Sequence, residues 1–344
     1  MAKKIIETLS IDLGSSFIKV LVSEKIDNKT IIKDFSFFPS FESDAIPRTE
    51  EEKNAALAGS LENAVKSISF SGKLAKTAVS GQSVIVRYLS MPKMNHTELK
   101  SAIKYEAEGH IPFNLNEVIM DFQVLDGQDK SQDGKMRVLL VAVKRDIIDD
   151  RIKLLQSVGL EPELIDVDSF ALVNSFEANQ SSPSADMTSA LVNIGANMTN
   201  INILKGSVSH FSRDIAIAGH SLTKAVQSKF SLGYKDAEKL KQNPGDKATE
   251  VMIAMENVVK NLVNEIQLSF DYYENQVEKG IDTIYLSGGC ASLAGFSDKL
   301  QEKLALPVQI WDSLAAFSFV NEAQKEKISS FSSMFPVAVG LALR

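Results

Sequence analysis

Two short segments, far apart in the chain, have the residue types that bind phosphate groups. They span residues 12–19 and 193–199, and each places a glycine and small polar residues between two apolar, strand-like stretches. Such a turn lets backbone N–H groups converge on an anion without side-chain obstruction. The candidate phosphate-binding residues are Gly14, Ser15, Ser16, Lys19, Gly195, Asn197 and Thr199.

The first segment also carries charged side chains suited to a nucleotide and its metal ion. Asp12 stands at the end of the predicted first strand, where a carboxylate can hold a hydrated Mg2+ that bridges phosphate oxygens. Lys19 could neutralise phosphate charge. Either turn alone is better explained as an ordinary glycine hairpin turn. The pair, each opening a strand-rich stretch, favours two related halves that close on one phosphate chain.

A third glycine-containing segment follows later in the chain. Residues 284–292 are predicted to form a strand that ends at Gly288 and Gly289 before a helix. That placement permits close approach of a ligand at a helix N-terminus. A turn whose glycines serve only packing is the alternative.

Composition and charge restrict the function classes. The length of 344 residues predicts more than one packed unit, and 44% apolar with 24% charged residues is typical of a globular protein. A net charge of -7 argues against a nucleic-acid partner. The single cysteine, Cys290, excludes an internal disulfide and a Cys-rich metal site, and predicts a reducing compartment.

Hydropathy predicts a cytosolic protein. No apolar run approaches the roughly 18 to 20 residues of a membrane-spanning helix. The first residues also meet Glu7 and Asp12 before any apolar signal-peptide region develops.

Strands and helices alternate around the glycine segments. Period-two apolar patterns predict a hairpin over residues 5–22 and a third strand at 31–38. A capped helix is predicted at 95–108 and a linker at 179–186. The pattern of the first hairpin returns from residue 191 onwards, which predicts a second half of similar fold.

Other enzyme classes find little support. Residues 219–223 nearly match the G-x-S-x-G nucleophile elbow of serine hydrolases, but Thr223 replaces the last glycine. The P-loop and dinucleotide-binding motifs are missing. Four scattered histidines form no zinc motif and are interpreted as surface or core residues: His96, His110, His210 and His220.

In combination, the motifs resemble those of the actin, Hsp70 and sugar kinase superfamily. Residues 12–19 resemble its first phosphate motif and 193–199 its second, while 165–171 are similar to its connecting motif and 286–289 to its adenosine motif. The resemblance implies an α/β, actin-like fold with ribonuclease H-like duplicated halves. The segment 84–163 resembles the inserted 1C subdomain of the FtsA and PilM families.

Three stretches, residues 111–125, 212–219 and 237–241, resemble the PilM family of type IV pilus assembly proteins in particular. That resemblance implies a cytoplasmic, ATP-binding scaffold of the inner-membrane pilus assembly complex. It also implies a groove beside the inserted module for the cytoplasmic N-terminal tail of PilN, with other pilus assembly and motor proteins as further partners. Self-association of the chain stays open. An FtsA-like cell-division protein and a small-molecule kinase of the same superfamily stay open as alternatives. FtsA proteins end in a basic amphipathic helix that this sequence lacks, and no motif nominates a kinase's catalytic carboxylate.

The resemblance assigns roles to residues on the first half of the site. Asp12 falls at the Mg2+ position, and Asp168 falls where relatives place a polar side chain that orients water. Ser15, Ser16 and Lys19 fall on the phosphates.

On the second half, Gly195, Asn197 and Thr199 fall on the phosphates from the other side. Glu238 and Lys241 fall on the ribose and base, although their spacing alone favours a solvated helix face. The residues assigned to the adenosine are Gly288, Gly289 and Ser292.

One departure from the superfamily pattern concerns catalysis. The second phosphate motif normally begins with aspartate, and Asn193 stands there instead. An amide brings no negative charge to Mg2+ and cannot accept a proton. The sequence therefore predicts binding of ATP with slow or absent hydrolysis.

The resemblance also predicts a division into four subdomains. Subdomain 1A comprises residues 1–83, completed by 164–181 and 325–344, and 1C comprises 84–163. Subdomain 2A is expected at 182–222 and 275–324, and 2B at 223–274.

Overall fold

A computed structural model of the chain describes residues 6–27, 29–41, 49–125, 135–180, 184 and 186–344. The chain divides into two compact units, one of residues 1–78 with 154–344 and one of residues 79–153. The predicted linker at 179–186 falls partly outside the described residues. The finer division into four subdomains stays a prediction.

Strands and helices alternate along the chain. The strands are β1 (Ile6–Leu13), β2 (Phe17–Ile26), β3 (Lys29–Pro39), β4 (Leu74–Val79), β5 (Val84–Pro92), β6 (Val118–Val124), β7 (Lys135–Lys144), β8 (Glu161–Val167), β9 (Thr188–Ile194), β10 (Thr199–Lys205), β11 (Val208–Ile215), β12 (Thr283–Ser287), β13 (Val308–Ile310) and β14 (Ser318–Phe319). The helices are α1 (Glu50–Lys66), α2 (His96–Glu108), α3 (Arg145–Ser157), α4 (Asp168–Asn179), α5 (Gly219–Phe230), α6 (Tyr234–Gln242), α7 (Ala248–Val277), α8 (Phe296–Leu304), α9 (Glu322–Ser329) and α10 (Pro336–Ala342).

The larger unit contains two sheets with the same plan. The first has the strand order β14-β3-β2-β1-β4-β8 and the second β11-β10-β9-β12-β13. In each, three antiparallel strands are followed by a strand parallel to the first of them. The two predicted hairpins are confirmed as β1–β2 and β9–β10, and the repeated order confirms two similar halves.

Alternating apolar residues explain why these segments form strands. Leu9 and Ile11 on β1 and Val20 and Val22 on β2 point into one buried cluster. On β9, Val192 and Ile194 do the same in the second half, against α5 and α7. The neighbouring residue Leu191 is buried on the opposite face against α4, so β9 is covered on both sides.

Two helices, α4 and α10, fill the space between the two sheets. A buried cluster on these helices joins Ala78 of β4 to Leu191 of β9. The helices cross very closely, since a Cβ atom added to Gly340 would lie 1.8 Å from the carbonyl oxygen of Ala171. Glycine is therefore required at 340, and the backbone contact holds the two sheets on one framework.

The smaller unit is a three-stranded antiparallel sheet, ordered β5-β7-β6, with α2 packed on it. The helix begins as the sequence predicted. Its capping residue Asn95 accepts a hydrogen bond from the N–H of Glu98 at 3.0 Å, and the Glu98 carboxylate accepts the N–H of Asn95 at 3.1 Å. Leu99 and Ile103 bury one face of α2 against the sheet.

Within the described residues, none of the helices has both the length and the apolar character needed to cross a membrane.

Candidate nucleotide-binding site

The first glycine turn, Gly14 to Ser16, joins β1 to β2 and is braced by Ser40. The Ser40 hydroxyl donates to the carbonyl of Gly14 at 2.6 Å, and the Ser40 N–H donates to the carbonyl of Ser16 at 2.9 Å. In the part of the chain that the structure describes, the N–H groups of Ser15 and Ser16 donate to no protein carbonyl. These two amides are therefore available to an anion.

The charged residues of this hairpin are paired with each other. Asp12 and Lys19 are direct cross-strand neighbours. The Lys19 Nζ lies 2.5 Å from Oδ2 of Asp12, with only 12% and 10% of the two side chains exposed. The predicted contacts of Asp12 with Mg2+ and of Lys19 with phosphate would therefore weaken or replace an existing ion pair.

The second glycine turn, Gly195 to Met198, is held by the start of α5. The Gly195 N–H closes the turn by donating to the carbonyl of Met198 at 3.0 Å. The carbonyls of Gly195 and Ala196 accept the N–H groups of Gly219 and His220 at 3.0 and 2.8 Å. Among the described residues, no protein carbonyl accepts the N–H groups of Ala196 and Asn197. This turn therefore also offers two backbone donors.

The Thr199 hydroxyl already has a partner within the protein. The residue is fully buried, and its hydroxyl donates to the carbonyl of Ile217 at 2.7 Å. This hydroxyl fastens β10 to the segment before α5, and the phosphate contact of Thr199 stays a prediction.

His220 links the two turns. Its Nε2 lies 3.3 Å from Oγ of Ser16 on the first turn, and its Nδ1 lies 2.5 Å from Oδ1 of Asn197 on the second. Because the amide oxygen can only accept, Nδ1 carries the hydrogen and Nε2 accepts from the serine hydroxyl. In the sequence, His220 is one of four scattered histidines. Its place at the start of α5, directly after the third strand of the second sheet, was the available signal.

The surroundings of His220 favour the neutral ring. Burial lowers the pKa of His220, the Glu238 carboxylate opposes this, and the ammonium groups of Lys241 and Lys224 lower it further. A neutral imidazole is the form that can both donate to Asn197 and accept from Ser16.

Glu238 and Lys241 on α6 do not lie on a solvated face, which the spacing alone favoured. Lys241 is 4% exposed, and its Nζ donates to Oε2 of Glu238 at 2.8 Å and to Oγ1 of Thr223 at 2.9 Å. It also lies 3.3 Å from the carbonyl of Gly219, whose N–H holds the second turn. The α6 pair is thus connected to the phosphate turn through one residue, Gly219.

The charge of Glu238 is held by this cluster. Burial alone would raise the pKa of Glu238, but the Lys241 ammonium and hydrogen bonds from Lys241, Thr223 and Gln242 bring that pKa below its ordinary value. Tyr234 packs edge-on against His220, with 5.6 Å between the ring centroids. Burial raises the pKa of the Tyr234 hydroxyl to about 12.

The third glycine segment packs against the second turn. Gly288 has φ +89°, and a Cβ atom there would lie 2.3 Å from the carbonyl oxygen of Ile194. Close packing thus accounts for this glycine. The following helix, α8, begins only at Phe296, so the expectation that the glycines directly precede a helix is corrected. Gly289 is partly buried and Ser292 exposed in the intervening turn.

Cys290, in the same turn, is buried beside the second turn. Its Sγ lies 3.7 Å from the carbonyl oxygen of Gly195. Burial raises the pKa of the Cys290 thiol to about 11. The group is a packed, uncharged thiol at neutral pH.

Two further predicted residues, Asn193 and Asp168, lie near the end of β9 and directly after β8. Asn193 accepts a hydrogen bond from the Ser287 hydroxyl at 3.1 Å and donates one to Oδ1 of Asn200 at 3.1 Å. Asp168 is the first residue of α4. Its role in orienting water stays a prediction.

The donor set fits a triphosphate bound together with its metal ion. Four backbone N–H groups and Lys19 can meet phosphate oxygens. Within the described ranges, no cluster of three His, Cys, Asp or Glu side chains could hold a metal ion by itself. A lone Asp12 carboxylate suits Mg2+, which is usually bound by one or two carboxylates plus substrate phosphates.

Comparison with known proteins gives one family. A family model described as type IV pilus assembly protein PilM matches residues 10–344. A solved structure titled PilM-PilN type IV pilus biogenesis complex has a chain that is 26% identical, with a TM-score of 0.86 and 98% of each chain covered.

Two more distant structures share the fold. The ethanolamine utilization protein EutJ from Carboxydothermus hydrogenoformans is 14% identical with a TM-score of 0.57, covering 98% of this chain and 89% of that one. MreB 5 of Spiroplasma citri, solved with AMPPNP bound, is 13% identical with a TM-score of 0.51, covering 97% and 94%. At these identities the likeness establishes the actin-like fold alone.

Proposed function

The chain belongs to the family of the type IV pilus assembly protein PilM, and on that premise we propose that it is an ATP-binding scaffold that holds the N-terminal tail of PilN. In this proposal ATP binds between the two halves and fixes their orientation. The tail of PilN then recruits the scaffold to the cytoplasmic face of the inner membrane, since the chain reaches the membrane through its partner.

The link made by His220 is the observation that carries the nucleotide part of the proposal. One imidazole reaches both Ser16 and Asn197, so the two turns are close enough to contact a single chain of phosphates. The free N–H groups of Ser15 and Ser16 would bind it from one side. Those of Ala196 and Asn197 would bind it from the other.

Nucleotide binding should rearrange this link. The imidazole has no second proton to offer phosphate while it is neutral, and it accepts from the Ser16 hydroxyl that a phosphate oxygen would attract. We therefore assign His220 the role of closing the turns when nucleotide is absent and releasing Ser16 when phosphate arrives.

The remaining predicted residues divide between metal, adenosine and chemistry. Asp12 would hold Mg2+ with phosphate oxygens, and Lys19 would move from Asp12 to phosphate. The adenosine would lie on the α6 cluster and the third turn, against Glu238, Lys241, Gly289 and Ser292. When bound, Mg2+ would supply charge neutralisation for the phosphates. Asn193 cannot accept a proton, which supports weak or absent ATP hydrolysis even if Asp168 orients a water.

The PilN part of the proposal rests on the family and on the similar chain found in a PilM-PilN complex. A small-molecule kinase has no reason to retain a peptide. A synthetic peptide of the PilN N-terminal tail should therefore bind the chain in a pull-down, and a scrambled peptide should not. If the chain retains neither peptide, the PilN part of the proposal is contradicted.

Thermal unfolding with nucleotide tests the other part. Mg-ATP at about 100 times its Kd should add roughly 2.7 kcal/mol to the free energy of unfolding. Unchanged unfolding with Mg-ATP up to millimolar concentration would contradict nucleotide binding, whatever the peptide does.

A further inference from the structure

Four polar residues form one continuous row across four strands of the second sheet. In order they are Ser287 on β12, Asn193 on β9, Asn200 on β10 and Asp214 on β11, each the direct cross-strand neighbour of the next. Their side chains are joined by hydrogen bonds of 3.1, 3.1 and 2.6 Å. We propose that Asp214 is a positioning residue that, through Asn200, fixes which end of the Asn193 amide faces each neighbour.

The direction of the row follows from its charged end. A carboxylate can only accept, so Asn200 must present its Nδ2 to Asp214. The Oδ1 of Asn200 then faces Asn193, which must present its own Nδ2. This leaves Oδ1 of Asn193 facing the Ser287 hydroxyl, which can donate. An amide alone has two interchangeable orientations, and a carboxylate at the end of the row leaves one.

Burial makes a reversed amide costly. Asn200 is 3% exposed and Ser287 is 1% exposed. Two oxygens facing each other in this part-buried row would lose their hydrogen bond and repel each other. The alternating residues Leu191 and Tyr285 put the row on the sheet face that packs against α4.

The cation nearest in sequence does not belong to the row. Arg213 points to α7, where its guanidinium donates to Glu265 at 2.6 Å and to Ser269 at 3.2 Å. Asp214 is the charged member of the row, and it stands two strands from Asn193.

The row makes carboxylates at 193 and 214 mutually exclusive. With aspartate at both positions, Asn200 could donate to one carboxylate only, and its oxygen would face the other. With aspartate at 193 and asparagine at 214, the Asn200 amide can turn over: its Nδ2 donates to the carboxylate at 193 and its Oδ1 accepts from the amide at 214, while Ser287 still donates to position 193. Position 193 therefore presents an uncharged acceptor beside the second turn because Asp214 already holds the charge.

The consequence for nucleotide rests on the proposed function. An acceptor oriented at the end of β9 suits a donor such as a metal-bound water, whereas a reversed amide would present N–H groups to it. The orientation set by Asp214 should therefore favour ATP with Mg2+ over ATP alone.

The test is a double-mutant cycle on the full chain without nucleotide. It uses Asn193→Asp, Asp214→Asn and the two changes together. Asn264→Asp, on the exposed face of α7, is the matched control. We expect Asn193→Asp to lower the unfolding midpoint clearly more than the control does. The double variant should recover at least roughly half of that loss, because interacting neighbours are non-additive. Additive effects, or Asn193→Asp as stable as the control, would overturn the proposal.

A second measurement separates positioning from mere packing. Asp214→Asn should leave the affinity for ATP in EDTA unchanged within about twofold. It should reduce the gain in ATP affinity that Mg2+ brings by about tenfold, equivalent to ~1.4 kcal/mol. An unchanged gain would mean that Asp214 has a structural role only and would overturn the positioning role. If the unmodified protein binds no ATP, the proposed function fails, and the stability cycle still decides whether the row is coupled.

Discussion

The Nε2 atom of His220 lies 3.3 Å from the hydroxyl oxygen of Ser16, although 204 positions separate the two residues in the chain. The same ring contacts Asn197 through Nδ1. One side chain at the start of α5 thus ties the glycine turn of the first half to the glycine turn of the second. The stability and the nucleotide response of the protein should both depend on it.

Replacing the imidazole should weaken the protein without nucleotide. His220→Ala removes two side-chain hydrogen bonds worth about 1 kcal/mol each, so the free energy of unfolding should fall by about 1 to 2 kcal/mol. Chemical denaturation at pH 7.5 measures this. His110→Ala, which removes an exposed histidine that contacts Glu106 in an i,i+4 pair, is the matched control and should change stability by less than about 0.5 kcal/mol. Equal losses would contradict the link.

The link should also be pH-dependent. Folding lowers the pKa of His220 from its ordinary value of about 6.5, chiefly by burial. The protonated ring is thus disfavoured in the folded chain, so its contribution to stability is full above pH 6.5 and is lost as pH falls through the lower folded value. We expect denaturation curves between pH 7.5 and 5 to show a fall in stability that is smaller in His220→Gln. The same slope in both proteins would argue against this assignment.

Removing Asp12 should separate folding from nucleotide binding. Asp12→Ala leaves the nearly buried Lys19 ammonium unpaired, which should cost about 3 kcal/mol of stability and abolish most of the Mg-ATP shift. Asp12→Ala combined with Lys19→Met removes both charges, so it should recover much of the stability but none of the shift. Recovery of the Mg-ATP shift in the double variant would contradict the metal role of Asp12.

The metal ion alone should have little effect. The described residues contain no cluster of three ligands, so Mg2+ needs phosphate oxygens to complete its coordination. Thermal unfolding with millimolar MgCl2 should match that with EDTA, whereas Mg-ATP should raise the midpoint. A comparable rise with MgCl2 would show a protein site complete without nucleotide.

Gly288 should tolerate no side chain. Its φ of +89° and the 2.3 Å approach of a Cβ atom to the Ile194 carbonyl oxygen mean that Gly288→Ala should cost more than about 2 kcal/mol. Gly59→Ala is the control, because Gly59 lies exposed inside α1 with nothing within 4 Å of its Cβ position. That change should stabilise the chain by up to about 1 kcal/mol. A mild effect at Gly288 would mean that the third turn can move away from β9.

Local patterns predicted much of the fold. Alternating apolar residues gave the hairpins β1–β2 and β9–β10, and the Asn95 and Glu98 capping box gave the start of α2. These features depend on neighbours in the chain or on the next strand, where period and propensity are decisive. The repeat of the glycine turns predicted the duplicated halves in the same way.

The residues of the site were harder to predict. Thr199 has the residue type of a phosphate ligand, yet Ile217 takes its hydroxyl. Lys241 has the spacing of a solvated helix face, yet it is buried against Thr223 and Glu238. In both cases the partner comes from another element, so spacing along one helix or strand could not reveal it.

The sequence by itself determined the strand pairs, the glycine turns and the helix cap, because these follow from short-range periodicity and backbone conformation. Only the tertiary structure decided that His220 reaches Ser16 and that Asn200 joins Asn193 to Asp214. Those contacts depend on how whole elements pack and on which donor meets which acceptor, and a few ångströms of displacement between two strands or helices would break them.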